Sequence, residues 1–181
     1  ADTSGDYKYN FEISAMRAQN VLYLLEGGKG TEWAKICYDR HKIEDYQQIM
    51  RYFAGIYKDW GCDPVKIDNK WGDLTETATT NFFQHAGLAP DTVNTVKHDV
   101  RKRWPVDAWR AVYGLYIKEI CKALGISDEA ALDTQYRALL KFVDDKNKFV
   151  GCGESFPIDR AEKNNYKSQE NRRVELFFFN S

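Results

Sequence analysis

The chain has almost no net charge, no long apolar run and no familiar catalytic signature. Its 181 residues carry 26 lysines and arginines against 27 aspartates and glutamates, a net charge of -1. That balance gives no electrostatic reason to bind nucleic acid or an anionic membrane surface. No apolar run approaches the ~20 residues needed to cross a bilayer, so no transmembrane segment is expected. No secretory leader opens the sequence, which leads us to expect a mature or excised fragment of an exported protein. The motifs HExxH, GxSxG and the phosphate-binding P-loop are all missing. Cys37 and His41 stand four apart, a spacing that chance explains more readily than a thiol nucleophile. No catalytic role is expected.

Cysteine and histidine are too sparse and too scattered for a zinc site. Cys37, Cys62, Cys121 and Cys152 show no CxxC pair, and His41, His85 and His98 do not join them at finger-like intervals. No metal and no cofactor are expected. In an oxidising compartment the four thiols allow three full disulfide pairings. Equally, they serve as small buried hydrophobes.

What is present is helical periodicity through most of the chain. After a polar loop at Ala1–Tyr9, a helix is expected from about Asn10 to Leu25, with Ile13, Met16, Val21, Leu24 and Leu25 on one face. The glycines of Glu26–Gly30 end it. Further helices are expected at Thr31–Cys37, Ile43–Trp60, Thr75–Ala86, Val106–Leu124 and Glu129–Val143, with a polar stretch at Gly87–Arg103. A short helix is expected near Asn164–Gln169. Val174–Asn180 (VELFFFN) is apolar and β-prone, and predicts a strand. The composition shift points to an α+β shell interrupted by an all-α insertion.

The two ends carry four motifs in order. The opening reads ADTSG followed by NFEISAMRA; the closing part reads VGCGESFP and then NRRVELFFF. Together they resemble the OmpA-like peptidoglycan-binding domain over roughly Ala1–Leu25 and Phe149–Asn180. The resemblance implies a split domain at 1–26 and 149–181, with a partial βαβ shell. In that family a strand, a helix and a second strand precede the first loop. The chain is therefore expected to be a piece of a longer protein, or to borrow those strands from another chain. Open sheet edges would leave room for pairing with a second copy as a homodimer.

The resemblance also implies a ligand set. Asp2 and Arg17, fifteen residues apart, fall on the pair that holds diaminopimelate of the peptidoglycan stem peptide. The chemistry fits: a carboxylate meets the ligand's ammonium, and a guanidinium fork meets its carboxylate with two parallel hydrogen bonds. Thr3 and Ile13 are implied neighbours of the ligand. Arg172 and Arg173 are expected to pin the last helix to the loops.

The insertion carries a second resemblance. Ile43-Glu44-Asp45-Tyr46-Gln47-Gln48-Ile49, then Asp68-Asn69-Lys70-Trp71-Gly72 with Thr75, Ala78 and Phe82, is similar to the three-helix peptidoglycan-binding module found beside wall hydrolases. That implies such a module at 31–86, with a further helical segment at 87–148. Asn69 stands where glycine is usual, which asparagine tolerates because it enters the left-handed conformation readily.

The expected function is non-covalent binding of bacterial peptidoglycan, anchoring an envelope protein in the periplasm or at the outer membrane. The alternative is the targeting region of a wall hydrolase or secreted toxin whose catalytic domain is absent from this chain.

Overall fold

The computed structural model describes residues 1–179. Seven α-helices are described: α1 Tyr7–Glu26, α2 Gly30–Arg40, α3 Ile43–Ile56, α4 Asp73–His85, α5 Thr92–His98, α6 Val106–Leu124 and α7 Glu129–Gln135. Single 3-10 turns follow at Lys58–Trp60 and Arg137–Leu139. No strand occurs among the described residues. The expected α+β class, with its partial βαβ shell, is therefore corrected to an all-helical fold. Residues 174–179 lack regular structure, and Phe177, Phe178 and Phe179 are 74%, 86% and 73% exposed. The β-prone composition of VELFFF is real, but a strand exists only when a second strand pairs its backbone. Asn180 lies outside the described residues. The sheet edges through which a second copy was expected to pair are likewise absent among the described residues. Residues 164–169, expected to be helical, are a bend at 164–165 followed by irregular chain that enters a turn at 169.

The chain divides into two compact units. One joins Ala1–Gly28 to the chain from Asp133 onward; the other is Lys29–Leu132.

In the Lys29–Leu132 unit, α2 packs along α6 through Trp33, Ala34 and Cys37 on one side and Trp109, Val112 and Tyr113 on the other. Trp104 and Trp109 are fully buried. Trp104 stacks on Tyr46 at 4.9 Å and on Phe82 at 5.3 Å, with the edge of Phe83 at 5.0 Å. Such pairs add about 0.5–1.5 kcal/mol each beyond the area they bury. The indole N–H groups of Trp33, Trp104 and Trp109 are buried without a hydrogen-bond partner among the described residues.

Gln47, 1% exposed, ties α3 to the turn before α4. Its Nε2 donates to Asp68 Oδ1, Lys70 O and Thr75 Oγ1 at 3.1, 3.2 and 2.9 Å. Its Oε1 accepts the N–H groups of Asp68 and Asn69, each at 3.0 Å. Asn69 has φ 59° there, so the turn uses the left-handed conformation. None of the four cysteines is in a disulfide; Cys37, Cys62 and Cys121 are buried and Cys152 is exposed.

In the other unit, the Asp6 carboxylate caps α1 by accepting the Tyr9 N–H at 3.0 Å. At the far end Arg137 Nη2 donates to Leu24 O at 2.6 Å, placing a cation on the carbonyl end of the helix. Lys148 pairs with Glu26 at 2.6 Å. The segment at Gly151–Gly153 runs against the middle of α1. A Cβ built on Gly151 would stand 2.6 Å from the Ala15 Cβ and 2.7 Å from its backbone nitrogen, so only glycine fits.

Candidate functional site

The motif-bearing segments of the two chain ends meet around the Asp2 loop. Asp2 is 5% exposed. Its Oδ1 accepts the Ser4 N–H at 3.2 Å and the Ser4 hydroxyl at 2.6 Å. Its Oδ2 accepts the Ser168 N–H at 3.2 Å and faces Arg172 Nε at 3.5 Å. Arg172 Nε also donates to Ser168 O at 3.2 Å. The carboxylate therefore holds its own turn and the 168–172 segment together.

Thr3 acts in the same way. Its hydroxyl donates to Lys163 O at 2.9 Å and accepts the Tyr166 N–H at 3.0 Å. Asn10, 3% exposed in the first turn of α1, donates to Ser4 O at 3.0 Å and to Glu154 Oε2 at 3.1 Å. Asn10 thus braces the loop, while Asp6 caps the helix. Ser14 Oγ accepts the Gly153 N–H at 2.7 Å, and the Ala1 ammonium donates to Gly153 O. Asn171 closes the second segment: its Oδ1 accepts from Ile158 N and Asp159 N at 2.8 and 2.9 Å. Arg173 reaches Phe156 O at 3.2 Å.

Arg17 and Ile13 are half-buried and lie one turn apart on α1, in a stripe that begins at Asn10. Burial first, then the Arg17 charge, hold the Ala1 ammonium below its ordinary pKa; Asp2 acts in the opposite sense and Arg173 in the same sense as Arg17. The structure brings Asp2 and Thr3 onto the closing segment through hydrogen bonds, and sets Arg17 and Ile13 on the adjoining helix.

The sequence reading did not find Ser168 or Glu154 as partners of this loop. No spacing rule could have found them, since Asp2 and Ser168 are 166 positions apart and Asn10 and Glu154 144 apart. Arg172 was expected to pin a last helix to the loops; residues 164–172 are not helical, and its Nε lies 3.5 Å from Asp2 Oδ2.

Chemically, the loop is a network satisfied within itself: the buried Asp2 carboxylate meets Ser4, Ser168 and Arg172, and Arg173 is turned to Phe156 O and Glu175. No group of three or more His, Cys, Asp or Glu side chains that could hold a metal ion occurs among the described residues. No described helix is long and apolar enough to cross a membrane. No protein-family model matches the chain, and neither a curated protein nor a solved structure matches it.

Proposed function

We propose that this chain binds bacterial cell-wall peptidoglycan without catalysis, through the diaminopimelate of the stem peptide, as part of an envelope protein in the periplasm or at the outer membrane. One observation supports the reading: Asp2 and Thr3 are hydrogen-bonded to the closing segment at Ser168, Lys163 and Tyr166, while Arg17 and Ile13 stand half-buried on the adjoining helix α1. A ligand with one ammonium and one carboxylate needs such a pair of opposite charges held at a fixed separation. Arg17 supplies the fork for the carboxylate, and Asp2 the charge opposite the ammonium. Ile13, a turn before Arg17, offers apolar surface to the aliphatic part of the ligand.

Because Asp2 also braces the loop, its removal disturbs the fold as well as the ligand, and Arg17 is the cleaner probe. The test is co-sedimentation with purified sacculi. Arg17→Ala, shown by circular dichroism to keep its helix content, is expected to bind at least tenfold more weakly, since a charge-assisted bond contributes about 1.5–3 kcal/mol. Arg17→Lys, which keeps the charge but loses the fork, is expected to recover only part of the affinity. Sedimentation of Arg17→Ala at the wild-type level would overturn the assignment.

A further inference from the structure

The Lys29–Leu132 unit carries a ladder of parallel rings that reaches its surface, with a carboxylate at one rung. Tyr57 follows the last residue of α3, and Trp60 ends the 3-10 turn Lys58–Trp60. In such a turn, side chains three positions apart eclipse one another. Tyr57 and Trp60 accordingly stack, with ring centres 4.3 Å apart and planes within 10°. The exposed His85 ring lies parallel to Trp60, at 5.1 Å and 6°. Asn81 Nδ2 donates to Gly61 O at 2.9 Å and ties the turn to α4. Tyr57 and Trp60 are both half-buried, so solvent reaches part of each.

The Tyr57 phenol donates to Glu119 Oε1 on α6, whose Oε2 faces Lys122 Nζ at 3.8 Å. Lys118 Nζ stands 5.5 Å from the centre of the Tyr57 ring. Burial first, then the bond to Glu119, push the Tyr57 pKa up to about 12, so the phenol keeps its proton at neutral pH. Loss of an electron alone would set a positive ring beside the Lys118 ammonium. Loss of an electron and a proton together leaves the ring neutral. Glu119 lies within hydrogen-bond reach of that proton, the first requirement of a base. Tyr46 differs: its phenol donates to the His41 carbonyl at 3.5 Å, which is no base.

We propose that Tyr57 is a site of oxidative modification by small inorganic radicals, with Trp60 as its electron relay and Glu119 as its base. A carbonate radical anion takes one electron from the Trp60 indole and becomes carbonate. Tyr57 returns an electron to that indole across the stack, while the phenolic proton passes to Glu119 Oε1. Trp60 is restored, Tyr57 is left as a neutral phenoxyl radical, and Glu119 releases its proton to water. Nitrogen dioxide, itself a radical, pairs its odd electron with that of Tyr57 in a new C–N bond at the ring carbon ortho to the oxygen. The hydrogen on that carbon leaves as a proton, the oxygen regains one, and the product is 3-nitrotyrosine. The proposal uses none of Asp2, Arg17, Thr3 or Ile13, and goes beyond the wall-binding reading.

The test treats the whole chain with peroxynitrite in bicarbonate buffer, which supplies both radicals, and maps nitrated peptides by mass spectrometry. Exposure alone would direct nitration to Tyr7 and Tyr52, 58% and 51% exposed. The relay directs it to Tyr57 ahead of both. Glu119→Gln keeps an acceptor for the phenol but removes the base. It is expected to lower nitration of Tyr57 at least about tenfold, less than the roughly 10²-fold that a positioned base contributes. Trp60→Phe keeps a ring in the stack but removes the oxidisable indole, and is expected to lower it severalfold. Tyr7 should be nitrated equally in all three chains. Three outcomes would each overturn the proposal. They are Tyr7 or Tyr52 nitrated ahead of Tyr57 in the wild type, Glu119→Gln nitrated at Tyr57 as the wild type is, and Trp60→Phe behaving likewise.

Discussion

Gln47 Nε2 donates to Thr75 Oγ1 at 2.9 Å, fully inside the protein, across 28 positions of chain. The same side chain fills both of its roles, with three acceptors around its nitrogen and two backbone donors on its oxygen. A buried amide satisfied on both ends stabilises; the groups it serves become costly once it is gone.

Gln47→Ala should therefore destabilise the chain by about 3 kcal/mol, because the Asp68 and Asn69 N–H groups lose their acceptor and Asp68, Lys70 O and Thr75 lose a shared donor. Gln47→Leu, which keeps much of the volume, should recover little of that loss. Urea unfolding reads the difference as a shift in midpoint at unchanged slope. A Gln47→Leu chain as stable as the wild type would show that packing, not hydrogen bonding, holds the turn.

Gly151→Ala tests the close approach of the closing segment to α1. The added methyl would overlap Ala15, whose backbone cannot move without bending the helix. A loss of about 1–3 kcal/mol is expected, the usual range for overpacking. Hydrogen exchange locates it: amides around Ser14 and Gly153 should lose protection while those of α3 keep theirs.

Asp99 links stability to acidity. The Arg103 guanidinium, first among several causes, holds the Asp99 carboxyl below its ordinary value. A carboxyl depressed in the folded state contributes stability above its unfolded pKa of about 3.9, and that contribution is lost as pH falls through the folded value. Asp99→Asn should therefore be less stable than the wild type near neutral pH. The gap should narrow steadily as pH falls below about 4. Equal slopes of stability against pH for the two chains would refute the pairing.

Local periodicity revealed the long helices and little of what lies between them. The bounds of α6, Val106–Leu124, follow from its apolar steps and from Gly125, which ends the helix at φ 68°. The start of α4 was displaced because Thr75 looks like a cap. In the fold Gly72 occupies the cap position, and the Thr75 hydroxyl is spent on Lys70 O and Gln47. Helix α5 has only Val93 and Val96 buried in seven residues, too short a pattern to stand out from a polar stretch. Helix α7 stops at Gln135 instead of Val143, leaving Leu139 and Leu140 exposed. The VELFFF segment shows the opposite failure. Its composition favours a strand, yet strand formation depends on a distant partner that local sequence does not encode. The same limit applies to the site. Asp2 and Arg17 were singled out by the resemblance and not by their local chemistry, while Ser168 and Glu154, which hold that loop in place, become neighbours only on folding.

All five tryptophans, Trp33, Trp60, Trp71, Trp104 and Trp109, fall within Lys29–Leu132, and two of them are sealed from water. Indole light emission therefore reports on one unit alone. Trp104 and Trp109, shielded from solvent relaxation, give that unit a blue-weighted glow that reddens as its interior floods. The unit built from the two chain ends has no tryptophan and is dark by comparison, its emission coming mainly from tyrosine, so the melting of the two parts can be separated by colour without a label.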